Sequence, residues 1–244
     1  RETTSVNHYT YRFASRARAE GLIVYDDPES ILKCSNKVYI AELLNHYGIP
    51  TPQSCIIHKD NIDTALEQIG VPCVLKQPDS AFSQGVLRID TVDQFMTEAA
   101  RMLSKSDLVV VQQFLPTDFD WRVGIFDRKP LFVCKYFMVK NHWQIIKRNS
   151  SGQNEEGRFE TLPVELAPAQ VIRTALKAAN LIGDGLYGVD IKQIGKNCYV
   201  MEINDNPNID AGVEDQILKG ALYERIMEVF LKRVLNSKNG HGYY

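Results

Sequence analysis

Cysteine pairs, long apolar runs, charge of one sign and nucleophile motifs are all scarce in this chain, and each scarcity removes a class of protein. Cys34, Cys55, Cys73, Cys134 and Cys198 are odd in number, widely scattered and never spaced as Cys-x-x-Cys. Neither a disulfide framework nor a zinc site is indicated, and reduced, packed thiols are expected. The longest apolar runs are too short to span a bilayer, and no charged start followed by an apolar core marks a signal peptide. The expected compartment is the cytoplasm, with no membrane partner. With 28 basic and 30 acidic residues the formal net charge is -2, which argues against nucleic-acid binding by phosphate neutralisation. Small molecules or peptides are the expected partners. His8, His46, His58, His142 and His241 have no metal-ligand spacing, and no serine or cysteine sits in a nucleophile motif.

What is present is an ordinary globular composition, 44% hydrophobic and 24% charged over 244 residues, enough for one large domain or two lobes. A helix is written from Ser35, its N-cap candidate, to Gly48 before Pro50. Asp60 to Ile69 reads as a second helix and Val71 to Gln77 as a strand. Thr91-Val-Asp-Gln94 resembles a capping box opening a helix to about Leu103. Strands are expected at Leu108 to Leu115, Trp121 to Phe126, Leu131 to Val139 and Trp143 to Ile146, with a turn at Asp127-Arg-Lys-Pro130. Ser150 to Glu156 reads as a polar, mobile stretch. A helix from about Ala167 to Leu181 precedes a hairpin, and a last amphipathic helix spans roughly Gly212 to Val234. Before Lys33 the clearest signal is a strand at Gly21 to Tyr25. Adjacent hairpins among the helices indicate an α+β fold with antiparallel sheets rather than a doubly wound parallel sheet.

The hairpin carries the chemistry. Gly188-Val-Asp-Ile-Lys192 and Val200-Met-Glu-Ile-Asn204 alternate apolar and polar residues around Gly195-Lys-Asn197. A three-residue loop pairs position 194 with 198 and sets Asp190 across from Glu202, with Asn204 two residues along the same face. Opposed carboxylates destabilise an antiparallel pair unless something neutralises them. A divalent cation does so, and magnesium suits one or two carboxylates plus substrate phosphates; manganese is a second option, and a solvated polar face is the plain alternative.

Other segments add to this. Lys76 shares a strand face with Val74, either as a solvated charge or as a phosphate ligand. Pro78 to Gly85, with Ser83 and Gly85, is either a surface loop or a stretch whose backbone N–H groups approach phosphate. Val109 to Pro116 is a core strand that can also offer backbone groups to an adenine edge. Asp120 and Arg122 lie on one strand face, as a hydroxyl-binding carboxylate and an anion-binding guanidinium or as a plain ion pair. Lys135, Lys147 and Arg148 add cations where a moving phosphoryl group needs them.

Taken together, from about Lys37 to Asn208, the sequence resembles the ATP-grasp superfamily and within it the RimK-like ATP-dependent carboxylate–amine ligases. Asp190 with Met201-Glu-Ile-Asn-Asp-Asn-Pro207 is similar to that family's Asp…Glu-x-Asn metal motif and following proline turn. The resemblance implies that Asp190, Glu202 and Asn204 hold magnesium, and that Lys37 and Lys76 contact nucleotide phosphates. It implies that Gln112-Gln113-Phe114-Leu115 holds adenine, with Gln113 standing where the family usually has glutamate. Asp120-Trp-Arg122 looks like the family's Asp-x-Arg, with Asp120 near the ribose. Arg122 and Arg148 are then the candidates to grip a carboxylate or acyl phosphate, with Lys135 as a further catalytic cation.

The implied fold has two α+β lobes whose antiparallel sheets sandwich the nucleotide, with boundaries expected at 34–115 and 116–240. Residues 1–33 are expected to be a remnant or linker from a preceding domain, as in a fragment or truncation. The implied reaction is amide or peptide bond formation between a carboxylate, glutamate or another amino acid, and an amine. ATP first converts the acid to an acyl phosphate. The alternatives are a catalytically silent ATP-binding regulatory module and a small-molecule kinase of the same fold. The long last helix is a candidate homo-oligomer interface.

Overall fold

The computed structural model describes residues 9–78, 85–148 and 153–238. Helices α1 (Tyr9–Ala19), α2 (Pro28–Ser35) and α3 (Lys37–His46) come first. They are followed by β1 (Ser54–Ile57), α4 (Ile62–Ile69), β2 (Cys73–Lys76), β3 (Val86–Ile89), α5 (Val92–Leu103) and β4 (Val109–Gln113). Strands β5 (Phe119–Phe126), β6 (Lys129–Phe137), β7 (Ile146–Arg148), β8 (Asn154–Glu156) and β9 (Phe159–Leu162) come next. Then follow α6 (Ala169–Ile182), β10 (Tyr187–Ile194), β11 (Asn197–Asn204) and α7 (Gly220–Lys238).

Two antiparallel sheets organise the chain, one of order β1-β4-β2-β3 and one of order β11-β10-β5-β6-β9, beside a small β7-β8 ribbon. The α+β arrangement expected from the hairpins is the one observed. In the smaller sheet, the period of two sends Ile57, Cys73, Leu75, Ile89, Val109 and Val111 onto α4 and α5, where they meet Ala65, Phe95, Ala99 and Met102. The opposite face carries Ser54, Val74, Lys76, Val110 and Gln112 in register, and Ile40, Ala41 and Leu44 of α3 border the space in front of it. In the larger sheet, Trp121, Val123, Val133, Val189, Ile191, Val200 and Ile203 pack on α6 through Val171, Ala175 and Ala178. Ile40 and Leu44 of α3 join that same core. Its other face meets α7 through Phe126, Phe132, Cys134, Leu222 and Ile226. The remainder of that face, on β5, β10 and β11, shares a cleft with Val74, Lys76 and Gln112 of the smaller sheet.

Several local expectations are corrected. No strand forms at Gly21 to Tyr25. Gly21 instead takes a left-handed conformation (φ 82°) and closes α1, with Gly21 N donating to Arg18 O and Leu22 N to Ala17 O. Helix α3 is capped by Asn36, whose side chain accepts from Val38 N and Tyr39 N, while Ser35 ends the preceding helix. Thr91 caps α5 by accepting from Gln94 N, but the Gln94 side chain returns to Asp90 N rather than to Thr91. Residues 154–156 of the stretch read as mobile form β8. The last helix begins at Gly220, not Gly212. Asp215 accepts from Gly212 N and Glu214 from Asp210 N, so polar side chains take the backbone donors that a helix would use.

Candidate functional site

The site is assembled from strand register. Ile194 pairs with Asn197 across a two-residue Gly195-Lys196 turn, one position tighter than the expected 194–198 pairing. That alone would place Asp190 opposite Met201. A bulge between Asp190 and Ile191 restores the Asp190–Glu202 pair, and it lets the neighbours Met201 and Glu202 both reach the cleft. Asn204 pairs with Gly188, where an added Cβ would stand 2.8 Å from Pro207 Cβ. Glycine there lets the proline turn that follows Asn204 lie against the strand.

Strand β5 flanks β10 on the other side, and the charges pair across strands. Arg122 sits opposite Asp190 and binds it with two bonds, Nε to Oδ1 at 2.7 Å and Nη2 to Oδ2 at 2.8 Å. Asp120 and Arg122 therefore share a face but do not pair with each other. Asp120 Oδ1 instead accepts from Lys192 Nζ at 2.6 Å. Lys37, in the first turn of α3, reaches Glu202 Oε1 at 3.6 Å. The opposed carboxylates are thus already answered by Arg122 and Lys37, so their proximity does not by itself demand a metal.

The facing wall belongs to the smaller sheet. Val74, Lys76, Val86, Gln112, Gln113, Phe114 and Leu115 line it, and the space between the walls is open to solvent. Gln112 is buried; its Nε2 donates to Ser54 Oγ, while its Oε1 has no partner among the described residues. A segment before β7 closes one side with Trp143, Gln144 and Ile145, and Trp143 meets Phe114 edge-on with ring centroids 6.0 Å apart.

Electrostatics sharpen the division between the walls. Removal from water, together with the charges of Lys37 and Lys192, lowers Lys76 to about 8 despite the attraction of Glu202 and Asp120. Among the described residues its ammonium has neither an ion pair nor a hydrogen bond. Burial raises the Asp120 carboxyl above its ordinary value, and the charge and hydrogen bond of Lys192 oppose that rise. Asp190, Glu202 and Asn204 offer two carboxylates and a carboxamide oxygen, a hard-oxygen set of the kind magnesium takes. The Glu202 side chain is 40% exposed toward the cleft. Among the described residues no cluster of three His, Cys, Asp or Glu has metal-holding geometry, so the set depends on Asn204.

Nine sequence candidates thus line one cleft: Lys37, Lys76, Gln112, Gln113, Phe114, Leu115, Asp120, Asp190 and Glu202. Arg122 and Asn204 stand behind it on Asp190, Asn204 Nδ2 lying 3.5 Å from Asp190 Oδ2. Gly85 leads into β3 with φ 68° and hydrogen-bonds Gln77 N through its carbonyl, outside the cleft lining. Ser83 and the Arg148 side chain lie outside the described residues. Lys135 does not join the site. It pairs in register with Trp121, which faces α6, so alternation puts it on the opposite face from Arg122. There it binds Glu160 at 3.1 Å. Sequence reasoning assigned no role to Lys192 or Trp143. Lys192 was visible as the residue two beyond Asp190, but its partner is on β5, and the β5–β10 adjacency is not written in the sequence.

No protein-family model matches the chain. A Vibrio vulnificus protein described as a probable alpha-L-glutamate ligase is 26% identical over 252 residues, covering 98% of this chain and 78% of that one. Among solved structures, D-alanine–D-alanine ligase from Bacillus anthracis complexed with ATP superposes with a TM-score of 0.68 at 20% identity, over 93% of this chain and 76% of its own. The chain has the ATP-grasp fold. The ATP-grasp ligase PsnB with minimal precursor, Mg and ADP gives 0.59 at 21% identity, over 82% of this chain and 59% of its own. A RimK domain ATP-grasp protein from Sphaerobacter thermophilus gives 0.60 at 19% identity, over 80% and 68%. In this chain the cleft between the two sheets is lined by nine of the residues the sequence had singled out.

Proposed function

We propose that this protein is an ATP-dependent ligase that joins a carboxylate to an amine through an acyl phosphate. The observation that carries the reading is the facing of Lys76 and the Gln112–Leu115 segment on one wall against Asp190 and Glu202 on the other, with Lys37 between them. Phe114, Leu115 and Trp143 form an apolar slot beside the backbone of β4, suited to a purine ring. Lys37 and Lys76 supply positive charge where phosphates would lie.

Asp190, Glu202 and Asn204 would hold magnesium, which when bound would neutralise phosphate charge. Arg122 keeps Asp190 oriented through both carboxylate oxygens. Lys76, its ammonium uncommitted among the described residues, follows the charge of the moving γ-phosphoryl group. In the reaction, a carboxylate oxygen attacks the γ-phosphorus and ADP leaves. The amine then attacks the acyl carbon, phosphate departs with that carboxylate oxygen, and the proton lost from the amine passes to the departing phosphate or to water. A free carboxylate would have to expel oxide, whereas an acyl phosphate expels a stable anion. The likeness to a glutamate ligase supports glutamate as the first amino acid to try. Five free thiols fit a reducing compartment, and we place the reaction in the cytoplasm.

The test is ADP release from the purified protein with Mg²⁺ and ATP, with and without pooled amino acids and small peptides. Stimulation that requires an amine supports the ligase. ADP release that needs the acid but no amine would make the protein a small-molecule kinase. Tight nucleotide binding without turnover would make it a regulatory module.

A further inference from the structure

Lys192 is the charged cleft residue to which no motif assigns a task. It follows Asp190 by two positions and so shares its face, and the Ile191–Trp121 pairing brings it beside Asp120. Only 8% of the residue is exposed. Its Nζ donates to Asp120 Oδ1 at 2.6 Å and to Thr117 Oγ1 at 2.7 Å. Thr117 Oγ1 in turn donates to the same Oδ1 at 3.1 Å. All three bonds form a closed triangle that ends on one oxygen of Asp120. Among the described residues Asp120 Oδ2 accepts nothing, although Asp120 lines the cleft.

A buried ammonium needs a partner, and a methionine or leucine would fill this place without one. The ammonium is therefore informative. With a carboxylate and a hydroxyl as acceptors at these distances, its charge is already answered, unlike that of Lys76 on the opposite wall. We propose that Lys192 is a positioning residue that fixes Asp120 so that Oδ2 accepts a hydrogen bond from a ribose hydroxyl of the nucleotide, making the Lys192–Thr117–Asp120 triangle the determinant of sugar recognition. Lys192 is then not a phosphate ligand. The inference rests on the ATP reading of the cleft.

Calorimetric titration with ATP, 2′-deoxy-ATP, 3′-deoxy-ATP and inorganic triphosphate separates the possibilities. Wild-type protein should bind ATP about tenfold more tightly than one of the deoxy analogues, the size of one hydrogen bond to a charged group. Lys192→Met should bring ATP down to the level of that analogue and leave triphosphate binding unchanged. Lys192→Arg should restore discrimination. Thr117→Val, a milder change to the same triangle, should reduce discrimination even if Lys192→Met folds poorly. Equal weakening of ATP, both analogues and triphosphate in Lys192→Met would overturn the inference, as would unchanged discrimination in both Lys192→Met and Thr117→Val. Wild-type protein that binds ATP and both analogues equally overturns this inference alone. Wild-type protein that binds neither ATP nor triphosphate overturns the nucleotide reading and this inference with it.

Discussion

The two walls of the cleft solve opposite problems. On the larger sheet the charges are matched before any ligand arrives, Arg122 with Asp190 and Lys192 with Asp120, and Lys37 reaches across to Glu202. On the smaller sheet the lining is apolar apart from two glutamines and Lys76, whose ammonium meets no acceptor among the described residues. The first wall is paired chemistry held by strand register. The second is a surface for an aromatic ring with one cation left to spend on a ligand. A single substitution should therefore act differently on each wall.

The largest effect is expected on the paired wall. Glu202→Gln should cut turnover by about 10²–10³, the scale for losing one preorganised electrostatic group, and leave thermal stability nearly unchanged because its side chain is 40% exposed. Asp190→Asn should lose as much activity and also destabilise the fold. It strands Arg122, which is 16% exposed, and breaking a buried pair costs about 3–5 kcal/mol, less with this residual exposure. Equal melting temperatures for the two variants would show that the Arg122–Asp190 pair contributes nothing.

On the other wall, Lys76→Met should weaken ATP binding about tenfold to a hundredfold, as for loss of a charge-assisted bond. The pH dependence follows from its lowered value of about 8. Anionic phosphate binds the protonated form, so affinity should hold below that pH and fall as pH rises through it. The stability of the unliganded fold runs the other way. Between the folded value and the higher unfolded one, the unfolded chain binds more protons, so the wild type should gain stability with rising pH relative to Lys76→Met. Affinity that is flat from pH 7 to 9.5 would place this ammonium away from phosphate.

A smaller effect is expected where Phe114 and Trp143 meet. Trp143→Ala should cost about 0.5–1.5 kcal/mol of nucleotide affinity, the range for an aromatic pair, and leave triphosphate binding intact. The smallest belongs to Lys135→Ala. It lies on the helix-covered face, bound to Glu160, and should change turnover less than twofold. A large loss would return Lys135 to the site.

Period-two patterning made the hairpin readable. Asp190, Glu202 and Asn204 were placed correctly relative to one another, yet through a register off by one that the bulge at Met201 compensates. The helices α4, α5 and α6 were legible because apolar spacing is local, and of the three only α5 adds a side-chain cap, Thr91. What was not legible depends on distant partners. Gly21 to Tyr25 has strand composition, but its glycine is taken by a helix terminus. Arg122 bonds across to Asp190 rather than along its own strand, and Lys135 falls on the wrong face, because neither strand order nor facing can be read from β5 and β6 alone.

The most direct test of the central claim follows the carboxylate oxygen. Amino acids and small peptides with ¹⁸O in their carboxylates would be supplied with Mg²⁺, ATP and an amine pool, and the released phosphate analysed by mass spectrometry. Ligation through an acyl phosphate predicts phosphate that carries one labelled oxygen, in step with ADP. ADP accompanied by wholly unlabelled phosphate would contradict it.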